Sequence, residues 1–209
     1  MDVSADHEAR SSEDPSTEGL ARRARSGDDA RFGELYLRIS PAVFAWASLR
    51  IPNALRPWLD AEDVVQEAWC RACNRFARFD PERGSFRAWT FGIARHVLLD
   101  ALRRLAHRPL SGGQDEPGRA IDLEGVPERA VTVSSQLARS EDMAAHVSRV
   151  RELDENEQAL FVQHGLEGAS LAACGEGLGV SPEAAKKRWQ RVRQKLADAT
   201  LHALTDVSD

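Results

Sequence analysis

Apolar residues recur three and four positions apart along most of this chain, the spacing of helices with one buried face. The first such pattern starts near Asp28, with Phe32, Leu35, Tyr36 and Ile39 on one side. Ser40-Pro41 reads as a cap followed by proline in the first turn of a new helix, which carries Val43, Phe44, Ala47 and Ile51. Pro52 and Pro57 bracket a connection. Asp60 suits the N-cap of the next helix, whose stripe is Val64, Val65, Ala68, Trp69, Ala72 and Phe76. Asp80–Ser85 combines proline, glycine and a capping serine, the chemistry of a turn. A further helix is predicted from Phe86 to His107, with Trp89, Ile93, Val97, Ala101 and Leu105 four apart and Pro109 as its stop.

The periodicity lapses from 110 to 135, where Gly112, Gly113, Pro117, Gly118, Gly125 and Pro127 mark a linker. Helical patterning resumes near Gln136. Asp154 with Glu157 three residues on predicts a capping box, and Gly165 and Gly168 are expected to close that helix. A short helix from Ser170 to Leu178, a turn at Gly179 and a helix opened by Ser181-Pro182 and running to about 200 complete the pattern. Strand alternation, internal repeats and a nucleotide-binding glycine loop are not found. The expected fold is all-α: two small helical domains, 27–109 and 136–202, joined by a flexible linker at 110–135. A disordered acidic tail at 1–26 and a short tail at 203–209 flank them.

The composition, 42% hydrophobic and 29% charged over 209 residues, fits a globular protein. No apolar run approaches the length that crosses a bilayer, and the acidic start is unlike a signal peptide, so a cytoplasmic location is expected. The net charge of −5 sits within the first 19 residues, where Asp2, Asp6, Glu8, Glu13, Asp14 and Glu18 face Arg10 alone. The rest is balanced, with cations crowded near the C-terminus. Cys70, Cys73 and Cys174 are an odd count for a disulfide framework. Cys70 and Cys73 fall in mid-helix, where packing is the expected role. The histidines have no metal-ligand spacing and the acid pairs lie on exposed helix faces. No catalytic residue, metal or cofactor is expected, and the chain reads as a non-enzyme.

Three constellations remain. The helices at 171–178 and 182–200 have helix-turn-helix proportions. Ala185, Trp189, Val192 and Leu196 face inward on the second, leaving Glu183, Lys186, Lys187, Gln190 and Arg193 outside, with Arg188 and Arg191 on the flanks. Such a face meets phosphates and base edges, or it is simply a solvated surface. Gly175 and Gly177 weaken the first helix by roughly 0.5–1 kcal/mol each relative to alanine. Phe86, Trp89 and Phe91 stand among Arg83, Arg87 and Arg95, which suits either stacking on extruded bases or, for Trp89 especially, core packing. Asp60, Glu62, Asp63, Gln66 and Glu67 gather acids at a helix start, serving the helix dipole or a basic partner.

Residues 60–104, DAEDVVQEAWCRACNRFARFDPERGSFRAWTFGIARHVLLDALRR, strongly resemble region 2 of the extracytoplasmic-function (ECF) sigma factors. Residues 153–196 resemble region 4, with the L-G-V-S turn, and depart from it in having Cys174, Gly177, Ala184 and Ala185 at its apolar positions. The resemblance implies an alternative sigma factor that binds core RNA polymerase, recognises the −10 and −35 elements of a promoter and promotes melting. It implies that Asp60, Glu62, Asp63, Gln66 and Glu67 dock on the clamp of the largest subunits. The −10 element falls to Arg83, Ser85, Arg87, Trp89, Thr90, Arg95, His96, Arg103 and Arg104. The −35 element falls to Ser181, Glu183, Lys186, Lys187, Arg188, Gln190, Arg191 and Arg193. Core polymerase, promoter DNA and, as for many family members, an anti-sigma protein are the implied partners, with no membrane and a monomer when free. A stand-alone helix-turn-helix regulator and a sigma-like interaction protein without promoter binding are the alternatives.

Overall fold

A computed structural model describes residues 16–25, 29–106 and 140–205. All regular structure among these is helical. The linker assigned to 110–135, the helical start at Gln136 and residues 1–15 and 206–209 of the tails lie outside the described residues.

The chain enters through α1, Thr17–Arg25. This corrects the expectation of disorder through residue 26. Leu20, Ala21 and Ala24 are buried on one side while Arg22 and Arg25 stay exposed, so a short amphipathic turn finds an apolar surface on α2. Helix α2, Asp29–Arg50, contains Pro41 in its interior, where a new helix was expected to begin. Proline lacks the N–H and crowds the carbonyl four residues back, at a cost of about 3 kcal/mol. The helix continues because Leu35, Ile39, Ala42, Val43 and Trp46, before and after the proline, are buried in the same core. A 3₁₀ turn at Asn53–Leu55 leads to α3, Ala61–Arg75. Its capping box is complete: the Asp63 N–H donates to Asp60 Oδ1 at 2.9 Å and the Asp60 N–H to Asp63 Oδ2 at 3.3 Å.

After the Asp80–Ser85 turn, Ser85 Oγ accepts the Ala88 N–H at 3.1 Å and opens α4, Phe86–Ala106. Phe86 lies at the centre of an aromatic cluster, 5.3 Å from Phe79 and 5.5 Å from Trp89 between ring centroids. Arg71 on α3 joins Glu67 of its own helix at 2.6 Å and Asp100 of α4 at 3.0 Å, fixing the two helices side by side.

The C-terminal helices are α5, Glu141–Arg151, and α6, Glu155–Leu160, which opens with the expected Asp154–Glu157 capping box. Helix α6 widens into a π-helical segment, Phe161–Leu166. Gly165 therefore lies inside the helical run, and only Gly168, at φ +76°, ends it. Gly165 is closely approached: a Cβ there would stand 3.0 Å from the Trp189 ring, which would have to give way. Helix α7, Leu171–Gly177, and α8, Pro182–Lys195, form the helix-turn-helix, each capped by a serine, with Gly179 at φ +65° between them. The second helix does not reach 200. Leu196 turns extended (ψ 135°) and α9 follows at Asp198–Leu204, which lets Leu196, Thr200 and Leu204 all reach the core.

Both sets of helices contribute to one continuous hydrophobic cluster, from Leu20 to Leu204. Helix α2 touches α5 and α9 as well as α1, α3 and α4. Glu157, buried, takes two hydrogen bonds from Lys195 Nζ at 2.6 and 2.7 Å, tying the foot of α6 to the end of α8.

The two glycines of α7 have different reasons. A Cβ on Gly175 would stand 2.9 Å from the Val180 carbonyl oxygen, whereas one on Gly177 would meet only Gln163 Oε1 at 3.8 Å. Gly175→Ala should therefore lower unfolding free energy by about 1–3 kcal/mol. Gly177→Ala should raise it by roughly 0.5–1 kcal/mol. Urea unfolding of both variants beside the parent checks the opposite signs.

Candidate nucleic-acid interface

The acids at the start of α3 form one face. Asp60 is exposed at the cap, and Glu62, Asp63, Gln66 and Glu67 are half-buried. Gln66 Nε2 donates to Glu62 Oε1 at 2.9 Å. Asp60 and Glu62 border a cleft shared with Ala144, Val147 and Arg151 of α5. A carboxylate in a helix's first turn is ordinarily favoured by the dipole. Asp63 behaves otherwise: burial pushes its carboxyl up, the Asp60 carboxylate pushes it further, the Asp60 N–H works against both, and Glu62 adds a smaller repulsion. Capping alone does not call for three crowded acids, and a cationic partner would relieve them.

The turn before α4 and α4 itself carry the second group. Arg83 is exposed on the turn, and Ser85 serves as the cap. Trp89 is half-buried among Phe76, Phe79 and Phe86, which places it in the aromatic cluster with one side accessible. Thr90 is fully buried and returns its hydroxyl to the Phe86 carbonyl at 2.9 Å. His96, Arg103 and Arg104 are exposed; the His96 ring lies 2.7 Å from the Gly92 carbonyl and Arg103 reaches Asp100 at 3.4 Å.

Arg87 is buried in this arrangement and turned toward the C-terminal helices. Its guanidinium donates to the backbone carbonyls of Leu166, Gly165 and Leu204, at 2.5, 3.2 and 3.0 Å. One residue on, Glu167 is met by three donors from α2 and α4. Trp46 Nε1 lies at 2.7 Å and Arg50 at 3.3 Å from one carboxylate oxygen, and Arg95 at 2.6 Å from the other. Sequence reasoning missed Trp46, Arg50 and Glu167. Trp46 sits on an apolar stripe, and Glu167 lies between two glycines that mark only a turn.

The third face is α8. Ala185, Trp189 and Val192 are buried. Glu183, Lys186, Lys187, Gln190 and Arg191 are exposed, Arg188 is half-buried, and Ser181 caps the helix through the Ala184 N–H at 3.2 Å. Arg193 is exposed toward a cleft it shares with Arg38 and Leu201. Cys174, at a position of the first helix where a larger apolar residue was expected, is fully buried. The helix-turn-helix is thus complete in its packing, with an exposed cationic helix as its second member.

An all-helical chain with an acidic helix face, a cationic helix beside an aromatic cluster, and a helix-turn-helix has the parts of a transcription initiation factor. The family model for Sigma-70 region 2 matches residues 35–108. The RNA polymerase sigma factor NccH of Alcaligenes xylosoxydans xylosoxydans is 31% identical over 188 residues, 88% of this chain and 94% of that one. The ECF RNA polymerase sigma factor ShbA of Streptomyces griseus subsp. griseus is 30% identical over 193 residues, 90% of this chain and 94% of that one. Among solved structures, CnrH in complex with the cytosolic domain of CnrY is 27% identical, covering 84% of this chain and 91% of that one at a TM-score of 0.40.

The chain belongs to the ECF family of RNA polymerase sigma factors. It is an alternative sigma factor, and sigma factors are initiation factors rather than enzymes in themselves. The similarity spans both sets of helices, so a stand-alone helix-turn-helix regulator is not favoured.

The crowding at Asp63 can be read by pH. Because its folded-state pKa is raised, ionised Asp63 costs stability above that value, and the cost disappears as pH falls below the unfolded value of 3.8. Asp63→Asn should therefore stabilise the protein at pH 7 by roughly 0.2–0.5 kcal/mol, the scale of one like-charge pair on a helix. The gain should vanish at pH 3, and urea titrations at the two pH values check it.

Proposed function

We propose that Asp60, Glu62, Asp63, Gln66 and Glu67 dock on the clamp of core RNA polymerase. The turn at Asp80–Ser85 with α4 then reads the −10 element, and α8 reads the −35 element. On this reading residues 27–109 and 136–202 act as separate functional units in the cytoplasm, and no chemistry is performed by the chain itself.

The observation that carries the reading is the Glu67–Arg71–Asp100 bridge, with contacts of 2.6 and 3.0 Å. It locks the acidic face of α3 to the cationic helix α4. Docking one on polymerase therefore fixes the position of the other on DNA. Arg83, Trp89, Arg95, His96, Arg103 and Arg104 supply cations and one half-open aromatic surface for unstacked bases. Arg87 and Thr90 are buried here and support these residues in this arrangement. Ser85 orients the start of α4, as Ser181 does for α8. Lys186, Lys187, Gln190 and Arg191 supply phosphate and base-edge contacts, with Glu183, Arg188 and Arg193 at the margins. Two weak DNA contacts become one strong one once polymerase holds both units at a fixed spacing.

Asp63→Arg with Glu67→Arg should abolish binding to core RNA polymerase in a pull-down or by surface plasmon resonance, with helicity unchanged. Undiminished binding would remove the docking assignment. Lys186→Ala, measured by filter binding of the holoenzyme to promoter DNA across a salt series, should lower the slope of log affinity against log salt by about 0.9, one phosphate contact. An unchanged slope would return that face to solvent.

A further inference from the structure

The −10 and −35 elements lie about 25 base pairs apart, on the order of 80 Å along a duplex rising 3.4 Å per pair. A compact chain of this length has a radius of gyration of about 17 Å. Helices α4 and α8 packed on one core cannot read both elements at once. The described arrangement is therefore a closed one, and whatever holds it closed must let go before promoter binding.

Besides the single bond from Arg151 to the Ser48 carbonyl at 2.8 Å, two polar contacts that gather several partners join the helix sets. One is Arg87 against the carbonyls of Gly165, Leu166 and Leu204. The other is Glu167, whose side chain is only 10% exposed although Arg50 and Arg95, its partners, are 44% and 52% exposed. Trp46 Nε1, Arg50 and Arg95 come from two different helices and converge on a single carboxylate. The Trp46 indole sits in the core and the Arg50 guanidinium lies over its ring at 5.6 Å, so these two donors are held in place from the α2 side. Gly168, at φ +76°, turns the chain immediately after Glu167. Two guanidiniums and an indole N–H around one monoanion leave one positive charge in excess, and a phosphodiester, likewise a monoanion whose charge is shared by two oxygens, presents the same pair of acceptors to these donors. Arg95 belongs to the proposed −10 face.

We propose that Trp46, Arg50 and Arg95 form a seat for one backbone phosphate of the melted promoter strand, and that Glu167 occupies this seat in the free protein as a built-in competitor. The inference rests on reading α4 as the −10 face. Docking of α3 on polymerase and separation of the C-terminal helices vacate the seat, and DNA and Glu167 exclude one another. Binding of single-stranded DNA and closure of the chain then oppose each other through one coupling, which is the same in both directions.

The test uses the full chain without polymerase and a fluorescein-labelled 12-nucleotide single-stranded DNA as probe. Glu167→Gln should bind it roughly five- to tenfold more tightly than the parent in fluorescence anisotropy. Adding Arg95→Gln, or separately Arg50→Ala, should reverse the gain and reduce the salt slope by about 0.7, the value for one contact on a single strand. Circular dichroism verifies that helicity is kept, and both arginines are exposed enough that their loss leaves the core intact. No tightening in Glu167→Gln, or tightening that survives loss of Arg95 and Arg50, overturns the proposal. Core polymerase binding by the parent is measured alongside. Polymerase binding with no effect of Glu167→Gln sinks the seat alone, whereas failure to bind polymerase sinks the functional reading whatever the oligonucleotide shows.

Discussion

A buried guanidinium needs acceptors on every side, and the closed arrangement is organised around supplying them to Arg87. Its three carbonyl partners come from two places in the chain, the end of the π-helical segment and the end of α9. Helix ends are where carbonyls lack intrahelical partners, so two unsatisfied termini and one cation answer each other's needs. The widened turn at Phe161–Leu166, the break at Leu196 and the short α9 all bear on this meeting. A continuous helix from 182 to 200 would carry the chain past it.

The same economy runs through the helix-turn-helix. The Gly175 position brings α7 against the Val180 carbonyl, Gly179 turns the chain, and Trp189 fills the space beside Gly165. Lys195 reaches back to Glu157, so the last turn of α8 is anchored to the cap of α6. Lys186, Lys187 and Arg191 stand exposed on the outer face of α8.

Much of the fold can be read locally. The caps at Asp60, Ser85, Asp154 and Ser181 follow from side chains that satisfy nearby N–H groups, and each is realised. The family resemblance carried by residues 60–104 rests on contiguous residues and survives for the same reason. What escapes local reading depends on distant partners. Leu20, Ala21 and Ala24 do have helical spacing, but nine residues become a helix only because α2 offers a surface. Pro41 looks like a boundary until both its flanks are seen in one core. Gly175 looks like a weakness until Val180 is placed beside it. Arg87 and Arg95 read alike as surface cations on α4. Only the C-terminal helices separate the two, burying one and pairing the other with a glutamate some seventy residues away in the chain. Glu167 itself carries no local mark at all.

The contact between Gly165 and Trp189 has a bearing on how this chain can diverge. The absent Cβ at one position and the full indole at the other divide a single volume between the π-helical segment and α8. A lineage that keeps Trp189 can place a side chain at 165 only if the indole gives way, while one that shrinks the ring leaves more room there. Change at 165 is thus eased by a prior change at 189, so the two are expected to change in that order. The shape of the surface under α8 is thus inherited in steps rather than by gradual adjustment.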